Sequence, residues 1–343
     1  MRTILTAAIA LFLFWSCTKE DENIPIPNNQ DGTKIAVSFI TEDAPSSRAF
    51  GANSATTAEK KVITAKLFIF KSGNKLFEKY LTASELSNVG SQPVTFTVPG
   101  LAASTSYDYY MIINNGDVSA SNLAALQAIT MNDIATYNGA WSAINDANTT
   151  PNRSGGFVMT GNTSASTSAD LTQTQNVSIT AKRISAKVDV NIIIDNTIFG
   201  SGNKYAGSMT IDSTFISKTQ ATTPLLLATP TTTTGTLALG KQVPNAATAN
   251  QNYQNRFYLF ENGALAAGNR VFLTLYGTYT YNSVATPVIY TTELTGDSTG
   301  AIVRNGSYSV TANIKGLTGA SLSVSVTLSD WETIVTQTAN LGS

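Results

Sequence analysis

Residues 177–194 read VSITAKRISAKVDVNIII. Apolar residues alternate at Val177 and Ile179, and again at Val188, Val190, Ile192 and Ile194. That is the period of a strand with one buried face. The run is too long for one ordinary strand. It therefore predicts a crossing between two folding units, near residues 182–186.

Outward from this run, both halves use the same grammar. Upstream, residues 62–70, 76–81, 94–98 and 107–114 alternate as strands, with a hairpin turn at Lys71-Ser72-Gly73-Asn74. Residues 121–134 predict a helix, capped by Ser121, with Leu123, Leu126 and Ile129 on one face. Residues 157–160 are short and apolar, and a Ser/Thr/Asn-rich stretch follows to Ser168. Downstream, 208–216, 256–260, 271–281, 288–292, 307–314 and 322–328 read as strands, interrupted by a Thr- and Pro-rich excursion over 217–252. The spacing predicts an all-β chain of two consecutive units, 49–183 and 184–343, with long loops and few short helices.

Before these units lies KIAVSFITEDAPSSRAF, residues 34–50. Ile35, Val37 and Phe39 form the apolar face of a strand. Residues 41–47 are acidic, then Pro and two Ser, the composition of a solvated, cleavable loop. A lone Arg48 precedes Ala49 and Phe50, and residues 49–61, small and polar, read as a loose leader to the first unit. Two readings stand: an ordinary first strand with its loop, or a removable core strand on a cleavable tether. Removal would leave an apolar groove able to accept a strand from another molecule.

The amino terminus predicts a signal. Arg2 is a minimal basic region, and residues 4–15 are apolar but too short for a comfortable membrane span. Cys17 is the single cysteine of the chain, so residues 1–17 read as a lipoprotein signal with the lipid on Cys17, or as a secretory signal with an incidental cysteine. Residues 18–48 then form a leader, starting with Lys19 and three acids.

Composition excludes much chemistry. Apolar residues are 42% of 343, enough for a sizeable core, while charged residues are only 13%. There is no histidine, which removes the commonest general base and every imidazole metal ligand. One cysteine leaves no intrachain disulfide or paired-cysteine metal site. A net charge of −1 without a basic run argues against nucleic acid as a partner. Gly235 to Lys241 fits the phosphate-loop spacing, but Gln242 stands where magnesium needs Ser or Thr. Asp108, Asp117 and Asp133 lack calcium-loop spacing. Tyr107, Tyr109 and Tyr110, and Tyr276, Tyr279 and Tyr281, form either half-buried sheet faces or a glycan platform. No catalytic constellation and no cofactor site is expected.

The short segments together resemble one family, the fimbrillins of Bacteroidales-type (type V) pili. The resemblance rests on Cys17 after the apolar signal, Ser47-Arg48-Ala49-Phe50-Gly51, Ala65-Lys66-Leu67, and 157–161 (FVMTG). It continues through 181–188 (AKRISAKV), 258–262 (YLFEN), 304–308 (RNGSY) and 324–328 with Asp330-Trp331. Phe14 and Trp15 depart from the usual lipoprotein box.

The resemblance implies two tandem transthyretin-like β-sandwiches and a structural subunit of the shaft of a cell-surface fimbrium. It implies export as an outer-membrane lipoprotein and cleavage between Arg48 and Ala49 by an arginine-specific protease. Ile35, Val37 and Phe39 would fill the groove until then, and the segment after Trp331 would fill the groove of the next subunit. Within that segment Val335, Ala339 and Leu341 share a face and Ile334 takes the other. Partners would be copies of this chain, other fimbrial subunits, and host surfaces or other bacteria. The alternatives are a tip or minor subunit binding a host glycan or protein, and a surface-anchored binding lipoprotein that never polymerises. Ser213 and Ser298 sit in Asp-Ser-Thr triplets that resemble O-glycosylation sites of these bacteria.

Overall fold

The computed structural model describes residues 32–41, 57–87, 93–138, 156–226, 228–240, 249–294, 299–318, 322–330 and 333–337, and for 39–41, 57–58, 322–330 and 333–337 the backbone alone. The first half contains β1 (Thr33–Thr41), the short helix α1 (Thr57–Lys60), β2 (Ala65–Lys71), β3 (Asn74–Tyr80), α2 (Ala83–Leu86), β4 (Val94–Val98) and β5 (Ser106–Ile113). It continues with α3 (Leu123–Gln127), β6 (Thr130–Met131), a 3-10 turn at Ile134–Tyr137, β7 (Met159–Ser166) and β8 (Gln175–Arg183). The second half contains β9 (Ser185–Ile194), β10 (Ser208–Ser217), β11 (Thr223–Pro224), β12 (Tyr253–Phe260), β13 (Phe272–Tyr281) and β14 (Val284–Glu293). It ends with β15 (Gly306–Ile314), β16 (Leu322–Asp330) and β17 (Thr333–Gln337). Ile184 alone separates β8 from β9, inside the run quoted first.

The strands of the first half follow the order β3-β2-β5-β7-β8-β1-β4. β7 and β8 share only the pairs Met159 with Arg183 and Thr160 with Lys182. The sheet turns a corner at this short seam and its two wings face each other. Leu67, Ile69, Tyr109 and Met111 from one wing meet Ile35, Val37, Val94, Val177 and Ile179 from the other in one buried cluster. In the second half the sheet β12-β9-β15-β16-β17 faces the sheet β10-β13-β14. Val188, Val190, Ile192 and Phe257 pack there against Met209, Leu273, Leu275 and Tyr290. Both halves are therefore all-β with few short helices, as the spacing predicts, and each is a sandwich, which the resemblance implies and the spacing alone does not specify.

A third apolar cluster lies between the sandwiches. The outer face of β2 brings Phe68 and Phe70, and the outer face of β12 brings Tyr258 and Phe260, with Phe157 and Leu225 among them. The Phe157 and Tyr258 rings stand 4.6 Å apart, within the range of favourable aromatic pairs.

Three local expectations are corrected. The helix expected over 121–134 is only α3, capped by Asn122, whose side chain accepts from the Ala125 amide at 2.8 Å. Thr130 and Met131 instead pair with Pro224 and Thr223 of the second half, so a tertiary contact stops the helix. The Ser/Thr/Asn-rich stretch is the strand β7, with alternating burial. Small side chains suit it, since a Cβ at Gly161 would collide with the Thr180 carbonyl of β8. Finally, residues 49–61, read as a loose polar leader, contain α1 and a wholly buried Glu59.

Candidate functional site

β1 is an interior strand. It pairs antiparallel with β4 from Thr33 opposite Val98 to Val37 opposite Val94. On its other side it runs parallel to β8, from Ile35 opposite Gln175 to Thr41 opposite Ala181. Ile35 and Val37 are 0% and 1% exposed. Burying two such side chains is worth about 3–6 kcal/mol before the entropy of ordering the strand. Phe39 stands opposite Ile179 in the register, and its side chain is outside the described residues. Among the described strands β4 has no other neighbour. Loss of β1 would thus expose two rows of backbone donors and acceptors and an apolar floor, a site for strand addition. Cys17, Arg48 and Ala49 lie outside the described residues.

The second feature is a buried charge cluster beside the seam at Ile184. Glu59 sits on α1, and its carboxylate takes a hydrogen bond from the Tyr258 hydroxyl at 2.6 Å. It is 3.3 Å from the Lys187 ammonium and 3.4 Å from the Arg256 guanidinium. Arg256 also pairs with both oxygens of Asp189. Arg183 donates to the Glu59 carbonyl at 2.9 Å and to the Asn305 side chain at 3.3 Å. Glu59, Lys187, Arg256, Asp189 and Arg183 are all at most 3% exposed.

Strand period explains how these charges share a side. Val188 and Val190 of β9 point into the second core, so Lys187 and Asp189 point out of it, toward the first sandwich. Burial pushes the Lys187 ammonium down to about 8, against the Glu59 and Asp189 carboxylates and with help from Arg256. For Arg256, burial works against the cation, but Asp189, Tyr258 and Glu59 outweigh it and hold it charged.

Nearby, Arg304 donates to the Pro224 carbonyl at 2.7 Å and pairs with Glu261 at 2.6 Å. The segments 181–188, 258–262 and 304–308 therefore meet at one junction. Their role there is structural. These segments stand out in the sequence, but Glu59, the group that joins them, does not. The visible signal was Lys187 and Asp189 at period two in an apolar strand, a charged face in need of partners.

At the other end, β17 pairs antiparallel with β16, with Ile334 opposite Ser329 and Val335 opposite Leu328. Ala339 and Leu341 lie outside the described residues. Ser213 is half-buried within β10, beside a bulge at the exposed Asp212, and Ser298 lies outside the described residues. The phosphate-loop spacing is fortuitous, since Leu237 bridges Thr219 and Leu239 is buried in the second core. Tyr107 and Tyr109 are core residues, whereas Tyr281 is 48% exposed.

An all-β tandem sandwich with an interior first strand is the class of architecture here. No family model and no curated sequence matches the chain. Solved structures do. A candidate cell adhesion protein from Parabacteroides distasonis aligns with 89% of this chain and 98% of its own, at 12% identity and a TM-score of 0.59. A second, from Bacteroides eggerthii, aligns with 88% and 97%, at 16% identity and a TM-score of 0.55. A fimbrilin from Porphyromonas gingivalis aligns with 89% and 99%, at 14% identity and a TM-score of 0.53. The chain has the fimbrillin fold.

Proposed function

We propose that this chain is a structural subunit of a cell-surface fimbrium, most simply of its shaft, and not an enzyme. It is exported as an outer-membrane lipoprotein through Cys17, cut after Arg48 by an arginine-specific protease, and polymerised by strand exchange. The observation that carries this reading is the position of β1, an interior strand that ends at Thr41, seven residues before Arg48 in the sequence. While β1 is present the groove is filled and the subunit stays monomeric. Once it is cut, the groove between β4 and β8 needs a strand, and the segment after Trp331 of another copy supplies one.

The four arginines among the described residues are poor protease targets, and Arg153 lies outside those residues. Arg183 and Arg256 are buried, Arg304 is tied to Glu261, and Arg270 is half-buried against Glu293. An arginine-directed protease thus finds no exposed arginine among the described residues. A second reading, a tip or minor subunit that binds a host glycan or protein, is favoured by β17, whose residues are engaged with β16 of the same chain.

The test is Arg48→Ala, with mass spectrometry of the surface protein and electron microscopy of fibres. The parent should begin at Ala49 and form fibres. The variant should keep its leader and remain monomeric. Fibres of normal length from a variant that still carries its leader would sink the reading.

A further inference from the structure

We infer that the Glu59 cluster is a latch that keeps the chain beyond the cut fastened to the second sandwich after β1 has gone. This rests on the proposed cut within residues 42–56. The last register partner of β1 is Ala181, opposite Thr41. Two residues further along β8, Arg183 holds the Glu59 carbonyl at 2.9 Å. Thr41 and Glu59, on either side of the 42–56 segment, are thus both held by β8. Fully extended, that segment would reach about 50 Å. A cut within it leaves the contacts of β1 and of Glu59 on separate pieces of chain.

The two attachments differ in kind. β1 is held by backbone pairing and by the apolar side chains Ile35 and Val37, which an identical groove-filling strand can replace. α1 is held by a carboxylate with three partners, Tyr258, Lys187 and Arg256, all from the second sandwich. An incoming groove-filling strand offers these partners no carboxylate, and withdrawal of Glu59 would take one from a buried lysine and a buried arginine. Departure of β1 therefore stops at Glu59. The strand β2, which follows α1 and lies in both the first core and the junction cluster, keeps its place.

The test is hydrogen exchange by mass spectrometry on the full chain, before and after an arginine-specific protease, for the parent, Glu59→Gln and Tyr258→Phe. In the parent, amides over 57–64 should keep their exchange rates within about threefold when the peptide carrying β1 is lost. In Glu59→Gln they should exchange at least about tenfold faster in both states, and a lysine-specific protease should trim at Lys60 and Lys61. Tyr258→Phe removes one hydrogen bond without altering charge, so it keeps the experiment informative if Glu59→Gln fails to fold; about threefold faster exchange is expected there. Loss of protection over 57–64 in the parent on release of β1, or variants that match the parent, would overturn the latch. Failure of the protease to cut at Arg48 would instead count against the proposed maturation, and uncut variants whose 57–64 amides exchange as the parent's do would still overturn the latch.

Discussion

β1 and β9 hold the same place in their sandwiches. Each is the first strand of its unit, and each lies between an antiparallel neighbour, β4 or β12, and a parallel one, β8 or β15. Yet of the two only β1 suits the proposed exchange. β9 gives five residues to its core, from Ala186 to Ile194, and on its reverse face Lys187 and Asp189 are buried in the charge cluster. It is also continuous with β8 through Ile184. The reverse face of β1 carries Lys34 in solvent, a small buried Ala36 and a half-buried Ser38, and no buried charge among the described residues. Replaceability therefore follows from the second face and from chain connection, and the slot in the sheet does not decide it.

The sharpest break in this contrast is a charge placed in each strand. Val190→Asp should cost about 5 kcal/mol or more and unfold the second sandwich. Val37→Asp should disturb the first sandwich while amides of β9, β12 and β15 keep their slow exchange. Equal loss of protection in both variants would mean that β1 is as integral as β9.

Next in size, Glu59→Gln should cost about 3–5 kcal/mol in denaturant unfolding, because it leaves buried cations short of a partner. Deleting residues 332–343 should cost roughly 1–3 kcal/mol, as only a few edge hydrogen bonds of β17 are lost. It should nonetheless abolish chain growth, read by electron microscopy. Full-length polymer from the deletion would assign the exchanged strand elsewhere.

A pH effect follows from Lys187. Its folded value of about 8 lies below the ordinary 10.5, so between those values the unfolded chain binds more protons. Its contribution to stability should therefore rise with pH across that window, by at most about 1.4 kcal/mol per unit. The cost of burying the ammonium is fully present below pH 8. Lys187→Met should flatten the difference curve, measured by denaturant midpoints from pH 7 to 10. The smallest expected effect is at Ser213, where substitution by Ala should shift stability by less than about 1 kcal/mol. If that residue carries a sugar, the intact mass of the parent alone will exceed the bare polypeptide.

The strands were legible because their cores impose period two on the sequence. The Lys71–Asn74 turn was legible for a local reason: Ser72 and Gly73 both adopt positive φ, 49° and 80°, as a tight hairpin requires. β7 was not, because its MTGNTSAS sequence is mostly small and polar and only its neighbours reveal the alternation. The Glu59 cluster was least legible. Its partners follow by 124 to 199 residues, and no local pattern distinguishes a glutamate destined for burial from one in solvent. Of the candidate groove, the apolar face of β1 could be read directly. Its parallel partner could not, since pairing with β8 spans about 140 residues and periodicity carries no pairing information.

The one-residue joint at Ile184 has a mechanical consequence. A strand seated in the place of β1 would be hydrogen-bonded along β8, so a pull on it would load that ladder in shear, with many bonds resisting together. From β8 the tension passes through Ile184 directly into β9, then sideways through its ladder to β15 and on to β16, which leads to the carboxyl-terminal segment. None of the long loops lies on this line. A filament of such subunits would behave as a continuous tape of sheet from one copy to the next, stiff along its length, with its variable loops free to differ without weakening it.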